Sequence, residues 1–257
     1  MNIDKKYYQE INENLTNTIQ DTNIDAPNKK TGKVRDAYFL DDRVVMISTD
    51  RQSAFDRVLA AIPYKGAVLN SVSAWWFKQT EHLFPNHLIS TPDPNVSIVE
   101  KCTVFPVEFV VRGYITGTTD TSLWTVYNKG DREYCGNTLP EGLKKNDKLT
   151  TPMLTPTTKD KVHDRPVSRE EIIDLGLMSA EDYDVAAKMS LDLFSFGQET
   201  AKKNGLILVD TKYEIGTDSS GKIKFVDEIH TPDSSRFWIS SSYKERIAAG
   251  QEPENID

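Results

Sequence analysis

The chain has 257 residues, of which 38% are hydrophobic and 27% are charged. These values are typical of a globular protein and exclude a fibrous or intrinsically disordered one. Its 31 basic and 39 acidic residues leave a net charge of -8, which argues against a protein that coats nucleic acid or an anionic membrane. A chain of this length can form one large domain or two smaller lobes without a disulfide or a structural metal.

The cysteine content and the N-terminus indicate the cellular setting. Cys102 and Cys135 are far apart and form no CxxC motif, so neither a disulfide framework nor a zinc site is predicted. The first ten residues lack the pattern of a secretory signal, and no run approaches the roughly 18 apolar residues of a membrane span. We therefore expect a cytoplasmic protein with no membrane and no nucleic-acid partner.

The N-terminal half predicts an antiparallel sheet with a helix on it. A helix is expected near residues 4–20. Apolar and β-branched runs on both sides of Asp41 and Asp42 predict a β-hairpin. Residues 65–84 have the length and apolar spacing of a helix that ends before Pro85.

The C-terminal half predicts two helices and a second hairpin. We place the lobe boundary near residue 112, which divides the chain into an N-terminal lobe 1–111 and a C-terminal lobe 112–257. Ser168 and Ser179, each followed three residues later by an acidic residue, predict two helix N-termini. Apolar runs on both sides of TDSSG predict the hairpin, and a polar tail is expected after it.

The first strand of this second hairpin, LILVDTKYEIG, carries three charged residues in alternation. Side chains alternate between the two faces of a strand, so Asp210, Lys212 and Glu214 share a face. On the partner strand Asp227 has the parity of Phe225 and is expected on a buried face. A lone carboxylate there needs a cation or hydrogen bonds.

Two interpretations of these charges remain open. Glu214 and Asp227 on neighbouring strands suit Mg²⁺, which takes a few carboxylates and leaves room for waters and nucleotide phosphates. Alternatively, the charges form a solvated strand edge with an ion pair between Lys212 and Glu214. The spacing does not decide between a metal site and a solvated edge.

Two other segments carry charges in a strand context. In VFPVEFVVRGY, Glu108 and Arg112 lie four apart and point the same way, either as a structural ion pair or as a metal ligand and an anion-binding guanidinium. In GKVRDAY, Lys33 and Arg35 predict one basic strand face behind Gly32, either a phosphate clamp or a solvated edge. The chain contains neither a Walker loop nor GxGxxG.

Several short segments, in order, resemble one enzyme family over nearly the whole chain. The resemblance is to the phosphoribosylaminoimidazole-succinocarboxamide synthases, or SAICAR synthetases. DTKYEIG and DEIHTPDSSRFW are its most specific pieces. The matching segments are GKVRDAY, STDRQSAFD, KGAVLN, VEFVVRGYITGT, LPEGL, KLTTPMLTPTTK, HDRPVS, LILVDTKYEIG and VDEIHTPDSSRFW.

This resemblance implies the fold and the reaction. The family has a two-lobed α+β fold, related to protein kinases and ATP-grasp enzymes, with antiparallel sheets, flanking helices and an ATP cleft between the lobes. It uses ATP to join L-aspartate to carboxyaminoimidazole ribonucleotide through an acyl phosphate in purine biosynthesis. The implied partners are these three small molecules, the implied cofactor is Mg²⁺, and a homodimer is a family-level expectation.

The resemblance also implies roles for individual residues. Lys33 and Arg35 would contact ATP phosphates, and Glu214 and Asp227 would hold magnesium there. Lys33, Asp210 and Lys212 would serve catalysis. A further magnesium would lie between Glu108 and Asp164. The residues implied in substrate binding are Arg112, Thr118, Lys159 and Arg236 at the ribonucleotide, with Asp210 and Lys212 beside them, and Asp50, Arg51 and Ser53 near the aspartate site.

One position departs from the family pattern, and two other functions compete with the implied one. Thr118 stands where the family commonly has serine, which keeps the hydroxyl and adds a methyl group. A small-molecule kinase of related fold would also end in an Asp-x-Lys strand followed by an acid. A catalytically silent nucleotide-binding protein would have lost one of the paired charges, whereas Lys33, Glu214 and Asp227 are all present.

Overall fold

The computed structural model describes residues 5–54, 57–159 and 165–256. It has an α+β fold of antiparallel sheets and helices, as the resemblance implies. The described residues form two compact units. The first contains the chain up to Lys78 together with His87–Lys101, and the second contains Gln79–Asn86 and the chain from Cys102 onward.

The first unit is built on a five-stranded antiparallel sheet in the order β1-β2-β3-β7-β6. The predicted hairpin around Asp41 and Asp42 is confirmed as β2 and β3. A separate pair, β4 and β5, forms its own two-stranded sheet. The elements are α1 (Lys5–Glu13), β1 (Lys29–Thr31), β2 (Arg35–Phe39), β3 (Arg43–Ser48), β4 (Arg51–Ala54), β5 (Arg57–Ala61), α2 (Lys65–Thr80), β6 (Leu88–Asp93) and β7 (Val96–Glu100).

The second unit is built on a six-stranded antiparallel sheet. Its strands run in the order β11-β8-β13-β14, with β12 also paired to β8 and β15 also paired to β13. The elements are β8 (Thr103–Tyr114), α3 (Leu123–Asn128), β9 (Glu133–Tyr134), β10 (Asn137–Thr138), β11 (Lys148–Leu154), β12 (Thr157–Thr158), α4 (Arg169–Asp174), α5 (Ala180–Lys203), β13 (Leu206–Thr217), β14 (Ile223–Val226), β15 (Ser235–Ile239) and α6 (Ser240–Ala248).

Helix α5 covers one face of this sheet. Its buried residues recur at helical spacing and pack on β8 and β13. Phe109 of β8, which has no exposed surface, lies 5.7 Å from the ring of Tyr183 on the helix. Tyr213 and Ile215 of β13 are equally buried. Neighbouring residues of a strand point to opposite faces, so the residues next to Phe109 and Tyr213 in β8 and β13 lie on the other face of the sheet.

The structure confirms the two predicted helix starts. Ser168 and Glu171 form a reciprocal capping box at the start of α4. The Ser179 side chain accepts a hydrogen bond of 3.0 Å from the backbone N–H of Asp182 at the start of α5. Helix α5 ends at Lys203, with Asn204 as its C-cap.

Two expectations differ from the structure. The division between the units falls between Lys101 and Cys102, whereas a boundary after residue 111 would cut the continuous strand β8. The C-terminal segment is not only a polar tail, because it forms β15 and α6. Trp238 of β15 is buried and stacks at 5.5 Å on Tyr243 of α6. That apolar contact stabilises the helix against the sheet.

None of the helices in the described ranges is long and apolar enough to cross a membrane.

The capping of α5 leads to a stability prediction. We expect Ser179→Ala to lower the free energy of unfolding by about 1 kcal/mol, because the N–H of Asp182 loses its acceptor. Urea denaturation measures this change. Ser195→Ala, at an exposed position inside the same helix, is the control and should have a smaller effect. Equal losses in both variants would contradict a capping role for Ser179.

Candidate active site

The face of the second unit's sheet opposite α5 carries charges on three adjacent strands. Antiparallel pairing sets Asp210 opposite Arg112, and Glu214 opposite Glu108. On the other edge of β13, Asp210 also lies opposite Arg236. Directly opposed residues point to the same face, so these side chains converge with Lys212. We call this set the charged face: Glu108, Arg112, Asp210, Lys212, Glu214 and Arg236.

Two lysine–carboxylate pairs lie at one end of the charged face. Lys212 Nζ donates to Glu108 Oε1 at 2.7 Å, and Lys159 forms an ion pair with Glu214. Burial is the largest single effect and lowers the pKa of Lys212, but the carboxylates of Glu108, Glu214 and Asp227 together outweigh it and hold the pKa above its ordinary value. Lys212 therefore stays positively charged at neutral pH. One of the two interpretations left open by the sequence pairs Lys212 with Glu214, but in the structure each of them pairs with another residue.

At the other end, one carboxylate lies between two guanidinium groups. Asp210 Oδ2 is 3.9 Å from Arg112 Nη1 and 3.7 Å from Arg236 Nη1. Among the described residues this buried oxygen accepts no hydrogen bond, because both distances exceed normal hydrogen-bond length. The carboxylate thus holds the two arginines by charge, while their N–H groups keep donor capacity for another anion.

Threonine hydroxyls orient two members of the charged face. Arg112 Nε donates to Thr155 Oγ1 at 2.9 Å, and Thr157 Oγ1 donates to Glu108 Oε2 at 3.1 Å. Neither threonine was assigned a role from the sequence. Both lie in KLTTPMLTPTTK, but only the fold reveals their contacts with β8, where Thr155 N donates to Val110 O and Thr157 lies opposite Glu108.

The parity of Asp227 predicts that it continues the buried face of β14, but in the structure it does not. Strand β14 ends at Val226, and Asp227 has a positive φ of 64°, which breaks the alternation of side chains. Phe225 remains on the covered face against Tyr213, at 5.3 Å. Asp227 is instead close enough to Glu214 to affect its titration.

Glu214 and Asp227 are two like charges in a partly dry environment. Burial raises the pKa of Glu214, and the Asp227 carboxylate raises it further, against the opposing effect of Lys159. A divalent cation relieves both the burial cost and the repulsion. The donor set therefore fits Mg²⁺, which needs only one or two carboxylates when phosphates and waters complete its shell.

A larger metal cluster is not found in the described part of the chain. No group of three or more His, Cys, Asp and Glu side chains there is arranged to hold a metal ion. Asp164, predicted to share a second magnesium with Glu108, lies outside the described residues. Glu108 itself is engaged by Lys212 and Thr157.

The remaining predicted residues of the second unit differ in exposure. Lys159 follows β12, and its backbone N–H donates to Pro106 O at 3.1 Å, which holds it beside the charged face. Thr118 is exposed in the loop after β8, directly after Gly117. Gly117 has a φ of 103°, and a Cβ there would lie 2.4 Å from Ser122 Cβ, so the loop requires glycine at this point.

In the first unit, Lys33 is not on a strand. It lies in a bend before β2, and Arg35 is the first residue of that strand. The bend is closed by a hydrogen bond of 2.7 Å from Gly32 N to Arg35 O. The two cations therefore flank a tight turn instead of sharing a strand face.

Asp50 and Arg51 are occupied by internal contacts. Asp50 accepts hydrogen bonds from the backbone N–H groups of Ile19 and Gly66, at 2.8 and 3.0 Å. Arg51 donates to the carbonyl groups of Gln20, Gly32 and Lys33 and to the buried Asp36 carboxylate. These bonds take four of its five donors. Internal contacts thus orient both side chains, and their assignment to the aspartate site stays a prediction, as does that of Ser53, which is half-buried in β4.

Comparisons with known proteins place the chain in a family. The family model of SAICAR synthetase matches residues 28–257. A phosphoribosylaminoimidazole-succinocarboxamide synthase of Legionella pneumophila (strain Lens) is 60% identical over 239 residues, which are 93% of this chain and 77% of that protein. The chloroplastic enzyme of Arabidopsis thaliana is 58% identical over 252 residues, which are 96% of this chain and 61% of that protein.

Solved structures agree with the sequence comparisons. The SAICAR synthase of Saccharomyces cerevisiae in complex with SAICAR is 34% identical, with a TM-score of 0.77 over 88% of this chain and 81% of that one. A SAICAR synthetase in complex with ADP is 27% identical, with a TM-score of 0.70 over 84% of this chain and 85% of that one.

The comparisons identify the class of this α+β protein as an ATP-dependent carbon–nitrogen ligase. The chain belongs to the SAICAR synthetase family. It joins L-aspartate to carboxyaminoimidazole ribonucleotide in purine biosynthesis, as the resemblance implied, and the small-molecule kinase alternative is not favoured.

The raised pKa of Glu214 leads to a pH prediction. A carboxyl group whose pKa is higher in the folded state contributes stability that is present below its unfolded pKa, about 4.3, and is lost as the pH rises through the folded value. A glutamine at this position does not ionise, so the variant loses no stability through ionisation at this position as the pH rises. We expect Glu214→Gln to become progressively more stable, relative to the parent, as the pH rises from the acidic to the neutral range.

Urea denaturation of the parent and of Glu214→Gln at a series of pH values measures this trend. Glu199→Gln, an exposed substitution of the same kind on α5, is the control for the loss of one charge. A stability difference that does not change with pH contradicts the raised pKa of Glu214.

Proposed function

We propose that the charged face binds the ribonucleotide substrate of this ligase. Arg112, Thr118 and Arg236 bind its phosphate, and Lys159 and Lys212 lie at its imidazole carboxylate. The observation that carries this proposal is the placement of both arginines on one buried carboxylate, Asp210, at 3.9 and 3.7 Å. Two guanidinium groups gathered at one point match a phosphate group, which accepts several bidentate hydrogen bonds.

We assign ATP to a second set of residues. Lys33 and Arg35 contact the phosphates of ATP, and Glu214 and Asp227 hold Mg²⁺ on them. The Gly32–Arg35 turn supports the first assignment, since backbone and side-chain donors meet at such turns. The raised pKa of Glu214 beside Asp227 supports the second. When bound, the metal neutralises phosphate charge and helps to orient the γ-phosphoryl group.

The first chemical step is a phosphoryl transfer. An oxygen of the imidazole carboxylate forms a bond to the γ-phosphorus of ATP, the bond to the β-phosphate oxygen breaks, and ADP leaves. Such transfers depend on positioning and on neutralising charge, so no covalent protein nucleophile is needed. Lys212 remains cationic through its pair with Glu108, and we place its ammonium group at the moving phosphoryl group. We place the ammonium group of Lys33 at the phosphates of ATP, where it also neutralises negative charge.

The second step forms the amide bond. The amine of L-aspartate attacks the carbonyl carbon of the acyl phosphate, phosphate leaves with the electrons of the broken C–O bond, and the amine loses a proton. In both steps Asp210 acts as a positioning residue, because its carboxylate holds Arg112 and Arg236. Ser53 is our proposal for a contact on the aspartate side.

Local charge must overcome the charge of the whole protein. All three substrates are anionic and the chain has a net charge of -8, so a general electrostatic field does not attract them. The attraction must instead come from the few basic residues assigned above. The cytoplasmic location and the homodimer stay predictions, and the chloroplastic relative shows that members of the family work in more than one compartment.

The activity is tested by the formation of ADP. Purified protein with ATP and Mg²⁺ receives carboxyaminoimidazole ribonucleotide, L-aspartate, both, or neither. We expect full release of ADP only with both, together with a product whose mass equals the succinocarboxamide. Release that needs no aspartate and yields a phosphorylated acceptor would overturn the ligase assignment in favour of a kinase.

The role of Arg112 is tested by a conservative substitution. Arg112→Lys keeps the charge but loses the planar fork and the bond to Thr155. We expect the KM for the ribonucleotide to rise about tenfold or more, corresponding to about 1.4 kcal/mol of binding, while the KM for ATP changes little. Arg132→Lys, which alters an exposed pair with Glu141, is the control. An equal rise in both KM values contradicts the assignment to the ribonucleotide phosphate.

A further inference from the structure

Tyr213 and His230 form a buried contact on the covered face of the sheet, directly behind the proposed ATP site. The Tyr213 hydroxyl lies 2.5 Å from His230 Nε2, and both residues are almost fully buried. Tyr213 stands between Lys212 and Glu214 in β13, but it points away from them. Neither residue of the pair takes part in the chemistry described above.

His230 belongs to a loop that connects two strands on the same edge of β13. Strand β14 pairs with this edge up to Glu214, and β15 pairs with it again from Thr211. The intervening loop, residues 227–234, begins with Asp227 and leads directly to Arg236 in β15. Its end is fixed to β13, because Lys212 N donates to Ser234 O at 2.9 Å. The loop therefore joins the proposed metal ligand to the proposed phosphate-binding arginine.

Both ends of the first half of this loop have unusual backbone conformations. Asp227 and His230 have positive φ values of 64° and 54°, which cost free energy in residues other than glycine. Such conformations persist where surrounding contacts hold them. For His230, the contact with Tyr213 on the covered face of the sheet holds the backbone in this conformation.

Helix α5 leaves space for the His230 ring at a single glycine. A Cβ atom added to Gly197 would lie 2.4 Å from His230 Cε1 and 2.8 Å from Leu208 Cδ2. Glycine inside a helix is unfavourable compared with alanine, yet Gly197 lies within α5. Burial lowers the pKa of His230 to about 3, so the ring stays neutral at working pH and its contact does not switch.

We propose that Tyr213 and His230 are positioning residues, which hold the 227–231 loop so that the Asp227 carboxylate faces Glu214 and binds the magnesium–nucleotide complex. Gly197 contributes to the same arrangement, because its lack of a side chain leaves room for the His230 ring. This inference rests on the proposed role of Asp227. The residues touch neither substrate nor metal and act only through the loop.

The test compares nucleotide binding with stability. Tyr213→Phe removes only the hydroxyl group. We expect it to raise the Kd for ADP, measured by calorimetry at fixed Mg²⁺, by about tenfold, as the loss of a group that orients a metal ligand commonly does. The KM for L-aspartate should stay near that of the parent.

A matched control separates positioning from general destabilisation. Tyr127→Phe also removes a buried hydroxyl, which donates to Pro140 O at 2.9 Å in a different core cluster. We expect a similar fall in Tm but an unchanged Kd for ADP. If both variants lose the same Tm and neither changes the Kd, Tyr213 is only structural and the inference is wrong.

Two further variants keep the result decisive. Gly197→Ala displaces the His230 ring from the helix side, so it should raise the Kd for ADP even if Tyr213→Phe does not fold. Asp227→Asn tests the proposed function itself. If Asp227→Asn weakens ADP binding and Gly197→Ala does not, the positioning role fails alone. If Asp227→Asn has no effect, the metal assignment fails and the positioning role fails with it.

Discussion

The antiparallel register between β8 and β13 is the constraint on which the candidate site depends. It sets Arg112 opposite Asp210 and Glu108 opposite Glu214, so side chains from distant parts of the sequence point to one face. A shift of one residue would turn one strand's charges toward α5, where Phe109 and Tyr213 now lie. The apolar residues that face the helix thus also determine which residues form the charged face. Packing on one side and chemistry on the other are two results of the same pairing.

Charges on this face are costly to bury, and the arrangement limits that cost without removing it. Lys212 pairs with Glu108 and Lys159 with Glu214, so opposite charges are close in both cases. Asp210 approaches two arginines but accepts no hydrogen bond among the described residues at Oδ2. Glu214 is pushed toward its protonated form by burial and by Asp227. This incomplete compensation is typical of a site that binds anions and a cation, because ligands supply the missing partners.

The loop between β14 and β15 shows how the covered face supports the charged one. The strands on its two sides pair with the same edge of β13, which places Asp227 and Arg236 along that one edge. Between them, His230 passes to the opposite side of the sheet and meets Tyr213 and the space at Gly197. The segment DEIHTPDSSRFW therefore contains the proposed metal ligand Asp227 and the buried His230, and it leads into β15 with the proposed phosphate contact Arg236. Its length allows these three residues to reach both faces of one sheet.

Alternation and capping signals were sufficient to predict the hairpin around Asp41, the starts of α4 and α5, and the shared face of Asp210, Lys212 and Glu214, because these features depend on neighbours in the chain. Resemblance of short segments added the enzyme family. The partners of each charge, the left-handed turn at Asp227, the internal contacts of Asp50 and Arg51, and the folding of the C-terminal segment into β15 and α6 were decided by tertiary structure. They depend on strand register and on contacts between distant segments, which spacing along one strand does not encode.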